Sequence, residues 1–193
     1  MQHVTRLCVY CGSAVGLDRR YRAAARELGQ SLAKAGIELV FGGGRVGLMG
    51  VLADAVLEAG GRVIGIIPDR LRAAELAHQG VSELIVTGSM HDRKRLMAER
   101  ADAFAVLPGG IGTLDETFEI LTWRHLGLHD KPIFLVDVAG YWQPLRGLLD
   151  HLAAQGFAAP LVPRLLNIVP SVAELMSALA HARPGEAPRS ERL

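Results

Sequence analysis

Three short stretches of this 193-residue chain carry side chains and backbone that could do chemistry. The first is Pro108-Gly109-Gly110-Ile111-Gly112-Thr113-Leu114-Asp115-Glu116. Glycines let backbone amides come close to an anion, and the unpaired N–H groups that open a helix favour negative charge. The Thr113 hydroxyl adds a donor. Asp115 and Glu116 follow, in what the spacing reads as the first helical turn. That placement has two readings. One is acid chemistry beside an anion cradle. The other is a capping box, because Thr113-x-x-Glu116 has the required spacing and acids suit a helix start. No lysine follows the last glycine, so the stretch is not a Walker loop and ATP hydrolysis is not expected.

The second stretch is Ser89-Met90-His91-Asp92-Arg93-Lys94-Arg95-Leu96-Met97. Ser89 reads as a helix cap, with Asp92 three residues on. Three successive cations then sit in the opening of the helix, where they oppose its dipole. Either a nearby anion or carboxylate offsets them, or they form a solvated basic face. The third stretch, Gly42-Gly43-Gly44-Arg45-Val46-Gly47-Leu48-Met49-Gly50, contains one G-x-G-x-x-G at Gly42, Gly44 and Gly47. A dinucleotide fingerprint also expects an acid about 20 residues on, and Asp69 is near that place. However, Pro68 precedes it and the loop falls in the second βα unit, which argues against NAD. A tight turn is the plainer alternative.

Other candidates carry less. Cys8 and Cys11 form the only C-x-x-C. A structural zinc site wants a second pair, and residues three apart in a strand point to opposite faces, so two unlinked, mostly buried thiols are expected. His125 and His129 have helical spacing but no evident third ligand, and no metal is expected. The only lysines are Lys34, Lys94 and Lys131. None stands in a context suggesting the Schiff base of a pyridoxal enzyme, which argues against amino-acid decarboxylation.

The elements that must position these residues alternate. Candidate strands are Arg6–Tyr10, Glu38–Phe41, Arg62–Ile67, Glu83–Val86, Ala103–Leu107, Pro132–Val136 and Leu165–Ile168. Amphipathic segments lie between most of them. Tyr21, Ala24, Ala25, Leu28, Leu32 and Ala35 recur at helical spacing, and Gly36 ends that helix. A second helix closes at Gly60-Gly61, and Ser171-x-x-Glu174 opens a final one. This pattern predicts an α/β fold: a Rossmann-like doubly wound parallel sheet of about seven strands flanked by helices. Ligands of such sheets sit beyond the carboxyl ends of the strands, which is where all three stretches fall.

Composition agrees and excludes alternatives. The chain is 50% hydrophobic, with 21 Lys+Arg against 20 Asp+Glu and a net charge of +1. It is too apolar for disorder and too balanced for sequence-independent binding to a nucleic-acid polymer. The 22 glycines show no collagen-like repeat. No apolar run approaches the length of a membrane span, and the N-terminus lacks the apolar core of a signal peptide, so a cytoplasmic protein is expected. One catalytic domain over 1–182 and a polar tail over 183–193 complete the expected organisation.

Taken together in this order, Gly42-Gly-Gly-x-x-Gly-Leu-Met-Gly50, Met90-His-x-Arg-Lys-x-x-Met97 and Pro108-Gly-Gly-x-Gly-Thr-x-x-Glu116 resemble the Lonely-Guy family. These are cytokinin riboside 5′-monophosphate phosphoribohydrolases, long mislabelled as lysine decarboxylases. The similarity runs from Cys11-Gly-Ser13 to about Ile168. It implies hydrolysis of the N-glycosidic bond of an N6-substituted adenosine 5′-monophosphate, giving free base and ribose 5-phosphate, with no cofactor. It also implies Arg93 and Glu116 as the catalytic pair. Gly109, Gly110, Ile111, Gly112 and Thr113 would hold the 5′-phosphate, with Asp115 and Lys94 lining the site. Ser13, Gly43 and Gly44 lie in the matching motifs and would join it.

The family further uses a Glu before the Met-His motif and a Thr on the helix after the glycine loop. The nearest positions are Glu75 and Thr122. Around Glu75 the chain reads Ala73-Ala74-Glu75-Leu76-Ala77-His78, where the family often has an Arg-Glu-Ile-Ser/Thr-Gly type of stretch. The resemblance implies a homodimer whose helices complete each other's sites, with the helix over 114–126 and Trp123 as the contact. The chemistry suits the residue types. Breaking C1′–N9 builds positive charge on the ribose, which a carboxylate can stabilise or answer by activating water. An opposing guanidinium would keep that carboxylate ionised. Two alternatives stay open: a broader nucleosidase acting on AMP, and a non-catalytic nucleotide-binding carrier of the same fold, marked by loss of the acid or the Arg.

Overall fold

The computed structural model describes residues 4–73, 76–160 and 162–182. Strands and helices alternate as the pattern predicts: β1 (Arg6–Tyr10), α1 (Arg19–Ala35), β2 (Glu38–Phe41), α2 (Gly47–Glu58), β3 (Val63–Pro68), α3 (Asp69–Ala73), β4 (Glu83–Thr87), α4 (Met90–Arg100), β5 (Ala103–Val106), α5 (Ile111–His125), β6 (Ile133–Val136), α6 (Gln143–Ala154), β7 (Leu166–Val169) and α7 (Val172–His181). Two 3-10 turns, Val138–Gly140 and Val162–Leu165, complete the order.

The seven strands form one sheet in the order β4-β3-β2-β1-β5-β6-β7, and every pair is parallel. The reason is visible in the central strands. Val63–Pro68, Ala103–Val106 and Ile133–Val136 are buried at every position, so both faces need a helical cover. On one face α1, α2 and α7 bring Leu28, Leu32, Leu52, Val56 and Leu175 onto Leu7, Val9 and Phe41. On the other, α4, α5 and α6 bring Met97, Ile120, Leu121 and Leu149 onto Tyr10, Val40 and Phe104. Cys8 joins the second cluster and Cys11 the first; both are free and buried, and burial pushes both thiols up.

The strand order reverses at β1, which has β2 on one side and β5 on the other. Connections leaving β1 and β5 diverge there and open a crevice at the carboxyl ends of the strands. The caps follow the spacing at three helices. Gly36 closes α1 in the left-handed conformation (φ 68°), and the hydroxyls of Ser89 and Ser171 accept from the amides of Asp92 and Glu174. Strand limits differ from the sequence reading by a residue. Pro68, for example, ends β3 opposite Thr87 instead of lying outside it. The stretch 183–193, expected as a tail, lies outside the described residues.

Candidate active site

Arg93 lies in the first turn of α4, where its side chain enters the crevice and is nearly enclosed. Its Nε donates to the Ile66 carbonyl at 3.1 Å and its Nη2 to the Gly42 carbonyl at 3.4 Å. Its Nη1 stands 3.1 Å from Glu116 Oε1, with both side chains 10% exposed. The glycine at 42 is what admits this guanidinium, because a Cβ there would collide with Arg93 Nη2. Gly47 serves a second approach. At φ 63° it opens α2 against the Ser13 backbone, where a Cβ would overlap the Ser13 carbonyl group, and the Leu48 amide donates to the Gly12 carbonyl at 2.9 Å.

The start of α5 corrects the sequence reading. Its cap is Gly110, with no side-chain cap hydrogen bond, and its first turn contains no acid. Thr113 is therefore the third helical residue and no capping box forms. Asp115 and Glu116 fall in the second turn. Among the described residues, no acceptor meets the amides of Gly110, Ile111, Gly112 or Thr113. Four donors at a helix start, unspent on a cap, are what an anion site needs.

Together these elements surround a cavity of about 330 Å³. Its polar lining is Ser13, Gly42, Gly44, Gly110, Gly112, Thr113, Arg93 and Glu116; its apolar lining is Cys11, Val46, Met49, Ile67, Leu71, Leu76 and the exposed Ile111. A larger hollow of about 500 Å³ lies under α6 beside β7. It has an aliphatic floor and an exposed Arg146–Asp150 pair, but none of the convergent buried polar groups of the crevice.

Electrostatics single out Glu116. Burial pushes its carboxyl up to about 7; Arg93 opposes that rise, Asp115 adds to it, and Lys94 pulls it down. Lys94 is buried beside the pair and bridges Asp115 and Glu119, each at 3.1 Å. Burial works against its ammonium, but the hydrogen bonds to both carboxylates prevail and hold it above its ordinary value. Arg95, exposed, pairs with Glu99 at 2.7 Å and Asp92 at 3.6 Å. Carboxylates thus offset Arg93, Lys94 and Arg95, the three successive cations near the start of α4.

The remaining expected positions scatter. Gly43 (φ 70°) packs behind the β2 loop on Ile66 and Ile67, and Gly109 lies one residue behind the cavity wall, wedged between Gly12 and Thr113. Thr122 is exposed on α5 and donates to the Phe118 carbonyl at 2.7 Å, away from the cavity of its own chain. Glu75 lies outside the described residues. Asp69, the acid a dinucleotide site would need, is exposed and paired with Arg72 at 2.8 Å. His129 is engaged structurally, to the Ile120 carbonyl at 2.9 Å and the Lys131 amide at 3.1 Å. The apolar wall was not foreseen. Ile67 and Met49 could have been found from their places, at the end of a strand and inside a glycine motif; Leu71 and Leu76 carry no such signal.

By fold this is a Rossmann-like α/β protein with its cavity at the topological switch point. Comparison with known proteins narrows that class. The family described as "Possible lysine decarboxylase" matches residues 49–179. The cytokinin riboside 5′-monophosphate phosphoribohydrolase of Rhodococcoides fascians is 49% identical over 79% of this chain and 77% of its own length. The LOG1 enzyme of the same name from Arabidopsis thaliana is 44% identical over 90% of this chain and 82% of its own. The chain belongs to this family, the Lonely-Guy phosphoribohydrolases. Among solved structures, the molybdenum cofactor carrier protein of Chlamydomonas reinhardtii shares the fold, at TM-score 0.70 and 24% identity over 91% of this chain and 96% of that one. The decarboxylase wording does not suit the site. No lysine lines the cavity, Lys94 is spent on two carboxylates and Lys131 on the Ala98 carbonyl.

Proposed function

We propose that this chain hydrolyses the N-glycosidic bond of N6-substituted adenosine 5′-monophosphates to free base and ribose 5-phosphate. The observation that carries this reading is Glu116, a carboxylate enclosed with Arg93 and one helical turn beyond an uncapped helix start. The amides of Gly110, Ile111, Gly112 and Thr113 would take the 5′-phosphate. The ribose then spans from that cradle to Glu116. As C1′–N9 breaks, its electron pair leaves with the base and positive charge grows on the sugar, which the carboxylate stabilises. Water supplies its oxygen to C1′; Glu116 accepts one of its protons, and a proton ends on the base. Arg93 opposes the rise that burial imposes on the carboxyl and aims it, while Lys94 restrains Asp115 beside it.

The names of the relatives support the cytokinin nucleotide as substrate. So does the apolar side of the cavity, because Met49, Ile67, Leu71 and Leu76 suit an apolar N6 substituent better than a bare amino group. The test is parallel incubation with AMP and isopentenyladenosine 5′-monophosphate, following base and ribose 5-phosphate. Release should be faster from the isopentenyl compound. Equal rates would point to a broad nucleosidase, and release from neither to a carrier.

The same reading includes a homodimer through α5. Leu126 (62% exposed) and Leu128 (68%) lie uncovered just past the end of that helix, near half-buried Trp123. Thr122, exposed beside them, would then serve the partner's site. Light scattering at micromolar concentration should give twice the chain mass. A cytoplasmic location fits the two free thiols; among the described residues no helix is long and apolar enough to cross a membrane.

A further inference from the structure

The glycine loop ahead of α5 is held from outside by a residue distant in sequence. The Tyr141 hydroxyl donates to the Gly109 carbonyl at 2.6 Å, across 32 residues of chain. Tyr141 follows a turn of unfavourable backbone. Ala139 (φ 58°, ψ 26°) is the one non-glycine residue at positive φ among the described residues, and Gly140 follows at φ 75°. Such a conformation persists only where the surroundings over-determine it. Here they do. Asp137 accepts from the Trp142 amide at 2.6 Å and from the Gln143 side chain. Trp142 is buried, and the Tyr141 ring meets Trp142 and Tyr21 edge-on, with centroids 4.8 and 5.3 Å apart. The turn thus spends strain to aim one hydroxyl.

What it is aimed at matters. The Gly109 carbonyl and the Gly110 N–H belong to one planar trans peptide and point in opposite directions. With the carbonyl turned to Tyr141, the N–H is turned the other way, and Gly110 lines the cavity with open space where a Cβ would stand. A Gly-Gly peptide has little steric resistance to flipping. Flipped, it would present an acceptor to an anion.

We propose that Tyr141 is a positioning residue for the anion loop: its hydroxyl locks the Gly109–Gly110 peptide with the donor inward, so that the amides opening α5 converge on a phosphate dianion. This rests on the phosphate-binding role given to the loop above.

The test is Tyr141→Phe, which removes the hydroxyl and keeps the ring against Tyr21 and Trp142. Calorimetry with ribose 5-phosphate and with inorganic phosphate should show binding weaker by roughly fivefold to tenfold, the scale of one hydrogen bond. KM for the nucleotide should rise alike, kcat should stay within about twofold, and any cleavage of the unphosphorylated riboside should be unchanged. Unchanged phosphate and ribose 5-phosphate binding would overturn the proposal, as would an equal loss toward nucleotide and riboside. Because the binding arm needs no turnover, it still decides the matter if the wild type proves not to release base. Should the variant fail to fold, the wild-type Tyr141 hydroxyl proton decides. Slow exchange by NMR, slower still with phosphate bound, is expected; exchange at the solvent-limited rate in both states would refute the lock.

Discussion

The Glu116 carboxylate lies 3.1 Å from the Arg93 guanidinium, and only a tenth of either side chain reaches solvent. Neither partner comes from the same element, and two backbone carbonyls hold the guanidinium independently of the acid. The pair is thus built to keep one carboxylate in place, and its members should respond differently to replacement.

Glu116→Gln preserves shape and removes the proposed base. Base release should fall by about 10²-fold or more, the range for loss of a general acid–base group. Ribose 5-phosphate binding should persist, because the α5 amides are untouched. Single-turnover assay and calorimetry on the same sample check both halves. Base release at the wild-type rate would remove Glu116 from the mechanism.

Arg93→Ala should cost comparable activity and, in addition, stability. It leaves Glu116 buried without its counter-charge, and breaking a buried ion pair typically costs about 3–5 kcal/mol. Urea denaturation at pH 8, where the carboxylate is ionised, should show the loss. It should shrink at pH 5, where protonation relieves the orphaned acid.

The pH dependence has a definite sign. Burial raises Glu116 from 4.5 to about 7, and the proposed mechanism uses the carboxylate. The kcat/KM should therefore rise with unit slope below about pH 7 and level off above it. Stability should run the other way. Between 4.5 and 7 the folded protein binds the proton that the unfolded chain has released, so this group's contribution falls as pH rises through that window. Paired pH profiles of rate and unfolding would show the opposition, and Glu116→Gln should flatten both.

Gly42→Ala tests the fit of the guanidinium. The added methyl would collide with Arg93 Nη2, so Arg93 must leave the Gly42 carbonyl. Activity should drop by at least about tenfold and Tm should fall with it, because Gly42 is buried and displacing Arg93 disturbs its enclosed ion pair with Glu116. Kinetics and thermal unfolding of the purified variant provide the check. Full activity would mean that Arg93 need not stand where it does.

Much of this was legible in the chain because it is local. Runs such as Ala103–Val106 are apolar throughout and short, which marks strands covered on both faces, and the intervening helices show their period and most of their caps. Where Ser89 and Ser171 meet the spacing rule, the caps form as expected. The capping box at Thr113 does not form, although its letters are equally good. The exit of β5 is set by partners elsewhere in sequence. The Gly12 amide takes the Pro108 carbonyl at 3.0 Å and Tyr141 takes that of Gly109, so the helix begins at Ile111, two residues before Thr113.

The order of residues along the chain is enough for the alternating parallel fold, the three motifs and the kinds of chemistry their side chains can perform. These follow from periodicity and residue type within a few residues. It takes the packed sheet to bring Arg93 against Glu116, to leave the amides opening α5 unspent, to set Leu71 and Leu76 in the wall of the same cavity, and to carry Tyr141 to the loop. Each of these depends on strand order and helix placement, and so on how the whole sheet packs rather than on any local pattern.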